Sequence, residues 1–414
     1  MKVLLYGLNY APEPVGIGRY SGELEGWLAA RGHEVRVITA PAYFPQWQAR
    51  DNRYRVQWIE GVRVQRCPLW VPRRPTGATR LLHLASFTLS SLVPLLQQRR
   101  WQPDLVFTVA PAFFCAPAAL MLVHLCAGKP CSWLHLQDFE LDAAFELGLL
   151  KGRWLRRLAE RWERWTLRGF DRVSSISHAM CRRVIHKGVE PARTVLLSNW
   201  VDLEMIRPQL LEQRNSNPYR RELGIGAEQM VLLYSGSMNK KQGLEVLVEA
   251  MRHLADCPNL VWILAGEGPS KEKLVKETLR LENVRILPLQ SPERLNDWLN
   301  FADVHLLPQK AGAADLVLPS KLIGILASGR PVVAGSPAGS ELGALAQQAG
   351  LRVDPEDPAA FAAAVKQLVT NHELRHRLGL QARHLAEQHF SREVVLRGLE
   401  EQLQQDRVRV SQVD

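Results

Sequence analysis

Cysteine is scarce in this chain of 414 residues, which contains six, and no two of them form a C-x-x-C pair. Structural zinc sites of the finger and ribbon type use such pairs, and disulfide-stapled domains are far richer in cysteine. We therefore expect neither a structural zinc nor a disulfide framework, which is typical of a protein kept in a reducing cytosol.

Long hydrophobic runs are also missing. The nearest candidate, residues 81–96, contains His83, Pro94 and several hydroxyl side chains, and it is short for a membrane span. The opening MKVLLYGLNY predicts a first strand rather than a signal peptide, because its apolar run is brief and polar and proline residues follow. We expect a protein without a membrane-spanning segment.

Three ligand-binding fingerprints are absent. In the loop after the first strand, the third glycine of a dinucleotide motif would fall at Ser21. The loop 234–243 lacks the GxxxxGK[ST] spacing of nucleotide-hydrolysing enzymes. No Asp-x-Asp ends a predicted strand, so no metal site is predicted.

The composition is that of a globular protein, with 46% hydrophobic and 23% charged residues. The net charge of +10 is uneven, since residues 1–200 carry +12 and residues 201–414 carry −2. A basic first half favours a nucleic acid, an anionic membrane or a phosphorylated substrate as partner. Nucleic acid is the weakest of the three, because no base-stacking or groove-reading motif is present.

Strands alternate with helices in both halves of the chain, which predicts two doubly wound α/β domains with parallel sheets. The predicted strands are Val3–Leu8, Glu34–Thr39, Val62–Arg66, Leu105–Val109, Cys131–Leu136, Arg172–Ser175, Val231–Tyr234, Leu260–Ala265, Val284–Leu287, Val304–Leu307 and Val332–Ala334. The polar, proline-bounded segment 205–218 predicts a linker between the halves. Ligands of such folds bind at the carboxyl ends of the strands.

One stretch, residues 307–335, predicts a strand, a polar loop, a short amphipathic helix and a second strand. Asp315, Ser320 and Lys321 lie in its loop and first helical turn, where backbone N–H groups and an ammonium favour an anionic, hydroxyl-rich ligand. The alternative is an ordinary helix start with a capping serine.

Glycine-bearing loops follow two further strands of the second half. The first contains Gly236, Ser237 and Lys241, and the second contains Gly266 and Gly268. Two such loops at neighbouring strand ends form a pattern that can cradle phosphate.

A similar loop opens the first half, with Gly16, Gly18 and Arg19 at the start of a helix. Glycine there permits close approach of a ligand to the backbone, and the alternative is a tight strand-to-helix turn.

The order of these motifs, GS…KKQGLE, LAGEGP, ADV, LPSKL and ASGRPVV, resembles the retaining family-4 glycosyltransferases of the GT-B fold. The stretches GHEVRVITAPAYFPQW, LHLQDFELD and residues 309–321 resemble most the colanic-acid fucosyltransferase branch of bacterial exopolysaccharide synthesis.

The resemblance implies two Rossmann-like domains facing each other across a cleft. The expected boundaries are an acceptor-binding domain at 1–203, a nucleotide-sugar domain at 204–387, and a C-terminal helix at 388–414 that returns to the first domain.

The resemblance also implies roles for single residues. Gly236, Ser237 and Lys241 would hold the donor diphosphate, Gly266 and Gly268 would lie close to the nucleotide, and Ser320 and Lys321 would meet phosphate or sugar. Gly16, Gly18 and Arg19 would shape the acceptor side and face the donor phosphates.

Several positions depart from the family pattern. Many relatives have Arg at Ser237 and Lys at Gln242, so Lys241 is the expected substitute. The family's paired glutamates would fall near Leu316 and at Gly324, which leaves Asp315 as a stand-in.

His135 and Asp138 end the strand 131–136, where relatives place a His beside an Asp, and we predict them as catalytic cleft residues. The alternatives are a buried core histidine and a helix-capping aspartate. In a retaining transfer the leaving diphosphate can itself take the acceptor proton, so stabilising its charge matters more than a protein base.

The segment 151–170 carries Trp154, Leu158, Trp162 and Trp165 at helical spacing among many arginines. A basic, tryptophan-bearing amphipathic helix can lie on an anionic bilayer, although the stripe could instead pack on its own domain.

These patterns together predict a metal-independent retaining glycosyltransferase without a cofactor. It would use a nucleoside-diphosphate sugar, with GDP-fucose as one candidate, and a lipid-linked glycan acceptor. It would lie in the cytoplasm at the inner face of the plasma membrane. The alternatives are a non-catalytic sugar-nucleotide-binding subunit and a GT-B epimerase or phosphorylase.

Overall fold

The computed structural model describes residues 1–13, 16–43, 47–49, 51–73, 77–110, 114–139, 141–142, 145, 152–313 and 319–411. The chain divides into two compact units, Met1–Leu197 and Ser198–Asp414.

The first unit is built on an eight-stranded sheet in the order β3-β4-β2-β1-β5-β6-β7-β8. The pairs are parallel except for the edge pair β3–β4, which is antiparallel. The strands are β1 Lys2–Gly7, β2 Glu34–Thr39, β3 Arg55–Ile59, β4 Val62–Arg66, β5 Leu105–Ala110, β6 Cys131–Leu136, β7 Arg172–Ser175 and β8 Thr194–Leu196.

The described helices of this unit connect those strands. They are α1 Ile17–Ala30, α2 Gly77–Gln97, α3 Cys115–Leu125, α4 Arg153–Gly169 and α5 His178–His186. Continuous apolar runs in β1, β5 and β6 are buried on both faces, as a parallel sheet covered by helices requires.

The second unit has a six-stranded parallel sheet in the order β11-β10-β9-β12-β13-β14. Its strands are β9 Met230–Ser235, β10 Leu260–Ala265, β11 Val284–Leu287, β12 Val304–Leu307, β13 Val332–Gly335 and β14 Gly350–Val353. Its helices are α6 Pro218–Glu222, α7 Glu245–His253, α8 Lys271–Thr278, α9 Leu295–Phe301, α10 Ser320–Ala327, α11 Glu341–Ala349, α12 Pro358–Thr370, α13 His372–Leu385 and α14 Arg392–Ser411.

The fold prediction of two Rossmann-like sheets is confirmed, and every predicted strand is present within one residue at each end. Three short strands were missed, namely β3, β8 and β14, which lie at sheet edges and are not continuous buried apolar runs.

The predicted linker 205–218 is bound to the second unit over much of its length. Arg214 pairs with the carboxylate of Asp303 through Nε at 2.6 Å and Nη2 at 2.9 Å, and the Gln209 backbone N–H donates to Asn300. Its polar composition reflects these partly buried hydrogen bonds rather than a solvated connection. The return of the C-terminal helix to the first domain stays a prediction.

One helical stretch, Thr79–Arg100, is long and apolar enough to cross a membrane by length and composition, and about a third of its apolar window is buried. Core helices of soluble proteins pass the same test, so this observation leaves the expectation of no membrane span untested.

Candidate functional site

Two glycine loops meet at the carboxyl end of the second sheet. The Gly236 N–H donates to Ala265 O at 2.9 Å, and the Met238 N–H donates to Glu267 O at 2.8 Å. The loop after β9 is thereby held against the loop after β10.

Glycine is required at this junction because the two backbones touch. A Cβ on Gly266 would overlap the Gly236 carbonyl oxygen, and one on Gly268 would lie 2.5 Å from Met238 O. The predicted glycines therefore permit backbone packing that any side chain would prevent.

Lys321 reaches this junction from the first turn of α10. Its ammonium lies 4.0 Å from the ring centroid of Tyr234 and donates to Gln242 Oε1 at 3.2 Å. A Cβ on Gly236 would lie 3.2 Å from the same nitrogen. Three separate elements thus converge on one cation.

Burial lowers the pKa of Lys321 to about 7. Desolvation disfavours the charged form, and the described residues supply only an amide oxygen and an aromatic face in compensation. An anion bound here would favour the ammonium, so the arrangement suits a phosphate group.

Ser237 and Lys241 are exposed beside this cation. Ser237 Oγ accepts from Asn239 Nδ2 at 3.1 Å, and Lys241 O accepts from the Lys310 N–H at 3.2 Å. Gln242, where the family resemblance implied a lysine, contacts Lys321 through its amide oxygen. Tyr234 and Gln242 were missed as site residues, because a buried strand tyrosine and a loop glutamine carry no phosphate signal in sequence.

Ser320 is the first residue of α10 and is exposed, beside Lys321. Asp315 lies outside the described residues. Gly324, at the position of a family glutamate, faces α9, where a Cβ would lie 3.3 Å from Leu299 Cδ1. A glutamate there would have to displace that leucine.

The loop after β1, in the first unit, packs around a carboxylate, unlike the glycine loops of the second unit, which lie beside a cation. Gly16 precedes α1 with a φ of 64° and has open space around it, whereas a Cβ on Gly18 would lie 2.6 Å from both Cβ and Oε2 of Glu13. Glu13 is buried, accepting from Asn9 Nδ2 at 2.9 Å and from the Tyr43 N–H at 3.2 Å. The space that Gly18 leaves open is occupied by a carboxylate.

Arg19 lines a cavity of about 220 Å³ with Glu13, Glu23 and Glu60. Its guanidinium pairs with Glu23 at 2.6 Å, one turn further along α1. The described wall of this cavity is rich in carboxylates, which favours hydroxyl or cationic ligand groups over phosphate.

His135 is buried in the first sheet with both ring nitrogens in hydrogen bonds. Gln137 Nε2 donates to His135 Nε2 at 2.9 Å, so the neutral ring carries its proton on Nδ1, 2.9 Å from Ser174 Oγ. Burial lowers the pKa of His135 to about 3. Its catalytic role stays a prediction, and this geometry favours the alternative of a core histidine.

Asp138 is exposed two residues beyond β6, at the carboxyl edge of the first sheet. It therefore lies where a ligand can reach it, whereas His135 does not. Among the described residues no group of three His, Cys, Asp or Glu side chains is arranged to hold a metal ion.

The tryptophans of α4 project into solvent. Trp154 is 75% exposed and Trp165 is 57% exposed, with Leu158 and Trp162 between them on one stripe. A neighbouring stripe fixes the helix, since Glu163 receives the Lys187 ammonium at 2.5 Å and Thr166 and Leu167 are buried. The alternative in which the tryptophan stripe packs on its own domain is therefore wrong.

Two protein-family models match this chain, one over each unit. Residues 15–200 match the glycosyl transferase 4-like domain, and residues 215–385 match the glycosyl transferases group 1 domain.

The chain is 42% identical to WcaI of Escherichia coli (strain K12), a glycosyl transferase provisionally assigned to colanic acid biosynthesis. The alignment covers 408 residues, which is 96% of this chain and 98% of that protein.

Solved structures share the fold across nearly the whole chain. Sucrose-phosphate synthase from Thermosynechococcus elongatus superposes with a TM-score of 0.74 at 18% identity, covering 98% of this chain and 99% of that one. Anabaena HepE in complex with UDP-glucose gives 0.69 at 16% identity, covering 98% and 100%. At such identities the likeness shows the GT-B fold alone.

Proposed function

Because this chain belongs to the GT-B glycosyltransferases that join a glycosyl transferase 4-like domain to a group 1 domain, we propose that it moves a sugar from a nucleoside diphosphate to a lipid-linked glycan. The family membership shows that this protein is a glycosyltransferase. The donor, the acceptor and the stereochemistry belong to the proposal.

The junction of Gly236, Gly266 and Lys321 carries the donor assignment. It combines close backbone loops, a helix start and an ammonium without a described carboxylate partner. Such a set stabilises a diphosphate both in the bound donor and as it leaves. HepE, of the same fold, binds UDP-glucose, which is consistent with a sugar nucleotide here.

The transfer retains anomeric configuration in this proposal. The departing diphosphate oxygen takes the acceptor proton on the face from which it leaves, while Lys321 and the α10 N-terminus hold its growing charge. Neither a metal ion nor a cofactor is needed for these steps.

The pathway proposal is synthesis of a colanic-acid-type exopolysaccharide, supported by the 42% identity with WcaI over nearly the whole chain. GDP-fucose is the candidate donor, and this choice depends on the motif resemblance alone.

The site of action in this proposal is the inner face of the plasma membrane, reached from the cytoplasm. The exposed tryptophan stripe of α4 among arginines supports it, since indole rings favour the bilayer interface and arginines favour anionic headgroups.

The donor proposal is tested by thermal unfolding with GDP, UDP, ADP and their sugar conjugates, with and without EDTA. A stabilisation specific for one base that persists in EDTA is expected. If no nucleotide stabilises the folded protein, the donor assignment is contradicted. If the stabilisation is lost in EDTA, the proposal of metal independence is contradicted.

Membrane contact is tested by sedimentation with vesicles of phosphatidylcholine, with or without phosphatidylglycerol. Binding is expected only to the anionic vesicles, and replacing Trp154 and Trp165 by Ser should weaken it severalfold. Replacing Leu196 by Ser, an exposed apolar residue of β8, serves as the control. Equal binding by all three proteins would exclude α4 as the contact.

A further inference from the structure

A second cavity lies in the second unit, at the edge of the sheet opposite the glycine loops. Its volume is about 360 Å³, and Asp303, Arg330 and Pro331 line it where β12 and β13 begin. Arg375, Arg383, His372 and His376 line it from α13. The donor loops follow the ends of β9 and β10, so the two places are separated by the length of the strands.

The charge of this cavity is positive. The described residues that line it, or whose side chains bond to its lining, carry five guanidinium groups and four carboxylates. They are Arg214, Arg220, Arg330, Arg375, Arg383, Glu212, Asp297, Asp303 and Glu387. The formal excess of one positive charge favours an anionic ligand.

Among the described residues, Asp303 makes no hydrogen bond to Arg330 or Arg375. Its carboxylate accepts from Arg214 on both oxygens, from Arg220 Nη2 at 2.7 Å and from the Val231 N–H at 2.7 Å. Its hydrogen-bonding capacity is therefore used by groups other than Arg330 and Arg375.

Arg330 is 8% exposed, and among the described residues its Nε has no hydrogen-bond partner. Its Nη2 donates to Gln209 O at 3.1 Å, which is its one side-chain hydrogen bond to the residues that the structure describes. A buried guanidinium with an unused donor is costly unless an acceptor arrives. Burial also lowers the pKa of Arg330, although the nearby Asp303 carboxylate acts in the opposite direction and raises it.

Within the described part of the chain, Arg375 and Arg383 also keep guanidinium donors without a hydrogen bond, although Arg383 Nε pairs with Glu387 at 2.6 Å. Arg375 is held through Nη1, which donates to Leu368 O at 2.7 Å and to Val369 O at 3.0 Å. Arg383 Nη1 donates to Ile206 O and Ala327 O. Backbone carbonyls thus fix both side chains at the cavity, as a preorganised site requires.

We propose that this cavity is a second anion site, distinct from the donor site, which binds the phosphate group of a small soluble phosphorylated molecule through Arg330, Arg375 and Arg383. Guanidinium groups match the geometry and charge of phosphate oxygens. The volume suits a small molecule, and exposed Leu380 at the rim offers an apolar contact to its uncharged part.

The probe is inorganic phosphate, with hexose 6-phosphate as a second arm, followed by calorimetric titration at constant ionic strength maintained with chloride. Saturable binding is expected, and it should persist in a Lys321→Met variant whose donor site is disabled. Hexose 6-phosphate should bind at least as tightly as phosphate.

Leu380→Glu is the first variant, since it adds one carboxylate at an exposed rim position and leaves every arginine in place. We expect it to weaken phosphate binding about fivefold. Leu380→Gln, and Arg377→Gln outside the cavity lining on the same helix, should bind as the wild type does.

Arg375→Gln should weaken binding about tenfold, as expected for loss of a charged hydrogen bond. Because this change also removes a cap from α12, its interpretation depends on Leu380→Glu agreeing with it. Absence of saturable binding, loss of binding in Lys321→Met, or wild-type affinity in Leu380→Glu would each overturn the second site.

Discussion

The two units each place a glycine-bearing loop after the first strand of their sheet, and the two loops are built for different neighbours. In the second unit, the backbone of Gly236 in the loop after β9 fills the space beside Gly266 of the neighbouring loop, and the Lys321 ammonium lies next to Gly236. In the first unit, the space beside Gly18 is filled by the Glu13 carboxylate. One loop offers a cation to a ligand, and the other already contains an anion.

A glycine pattern therefore shows where the chain is crowded, not what will bind there. The sign of the charge nearby comes from a residue distant in sequence, Lys321 in one case, and from the loop itself, Glu13, in the other. The expectation that Gly16 and Gly18 face the donor phosphates is weakened by this carboxylate and stays a prediction.

Replacing Gly266 by Ala should have the largest effect, because the new methyl group would overlap the Gly236 carbonyl and force the two loops apart. Nucleotide affinity should fall by about two orders of magnitude or more, as expected for a loss of about 3 kcal/mol. Calorimetric titration with the nucleotide that stabilises the wild type measures it. Gly398→Ala, at a helix position with open space, is the control. Unchanged affinity would show that the loop junction is not part of the donor site.

Lys321→Met should reduce the same affinity by about tenfold or more, through loss of a charged hydrogen bond to phosphate. The wild-type affinity should also fall as the pH rises from 6.5 to 8.5. The free ammonium, with its pKa near 7, loses its proton over this range, whereas the bound anion favours the protonated form. The variant should lack this slope, and Lys240→Met in the exposed loop should keep it. A pH-independent wild type would contradict the assignment.

Replacing Gly18 by Ala tests the loop after β1 in the first unit, for comparison with the glycine loops of the second unit. The added methyl group would lie 2.6 Å from Glu13 Cβ, so the free energy of unfolding should fall by about 1–3 kcal/mol. Nucleotide affinity should not change. Gly16→Ala, which meets open space but has φ 64° and ψ −145°, a region almost confined to glycine, should cost about 1–3 kcal/mol through backbone strain alone. Chemical denaturation measures both. Weaker nucleotide binding in Gly18→Ala would place the first loop at the donor after all.

Glu25→Met should give the smallest change and a stabilising one. Glu25 is fully buried in α1, neither carboxyl oxygen has a described partner, and burial raises its pKa well above the ordinary value. A raised pKa means that the folded state holds the proton more tightly, so wild-type stability falls as the pH rises above about 4.3. The variant should therefore gain about 1–2 kcal/mol at pH 8 and less at pH 5. A gain independent of pH would indicate packing rather than ionisation.

The sequence predicted the fold well because parallel strands buried on both faces are continuous apolar runs, as in residues 3–8 and 260–265. The two glycine loops of the second unit were predicted for the same reason, since glycines after such strands are visible in the linear pattern. The edge strand 55–59 was missed because it is short and has no continuous apolar run, and three of its five residues, including Val56 and Trp58, are exposed.

What the sequence could not show was the pairing of distant side chains. The contact of Lys321 with Tyr234 and Gln242 spans more than 75 residues, and the arginines of the second cavity come from segments separated along the chain. His135 was predicted as catalytic from its place at a strand end. Its burial and its hydrogen bonds to Gln137 and Ser174 are visible only in the structure.

Helix α10 has Lys321 in its first turn and ends just before Gly329 and Arg330, so a helix of eight residues, about 12 Å long, joins the glycine loops of the second unit to the second cavity. Leu322, Ile323 and Leu326 are buried along it, which prevents its ends from moving separately. A displacement of one end of this helix therefore also displaces the other end. Any influence of a phosphate in the cavity on donor binding must then be matched by an equal influence of the donor on the phosphate.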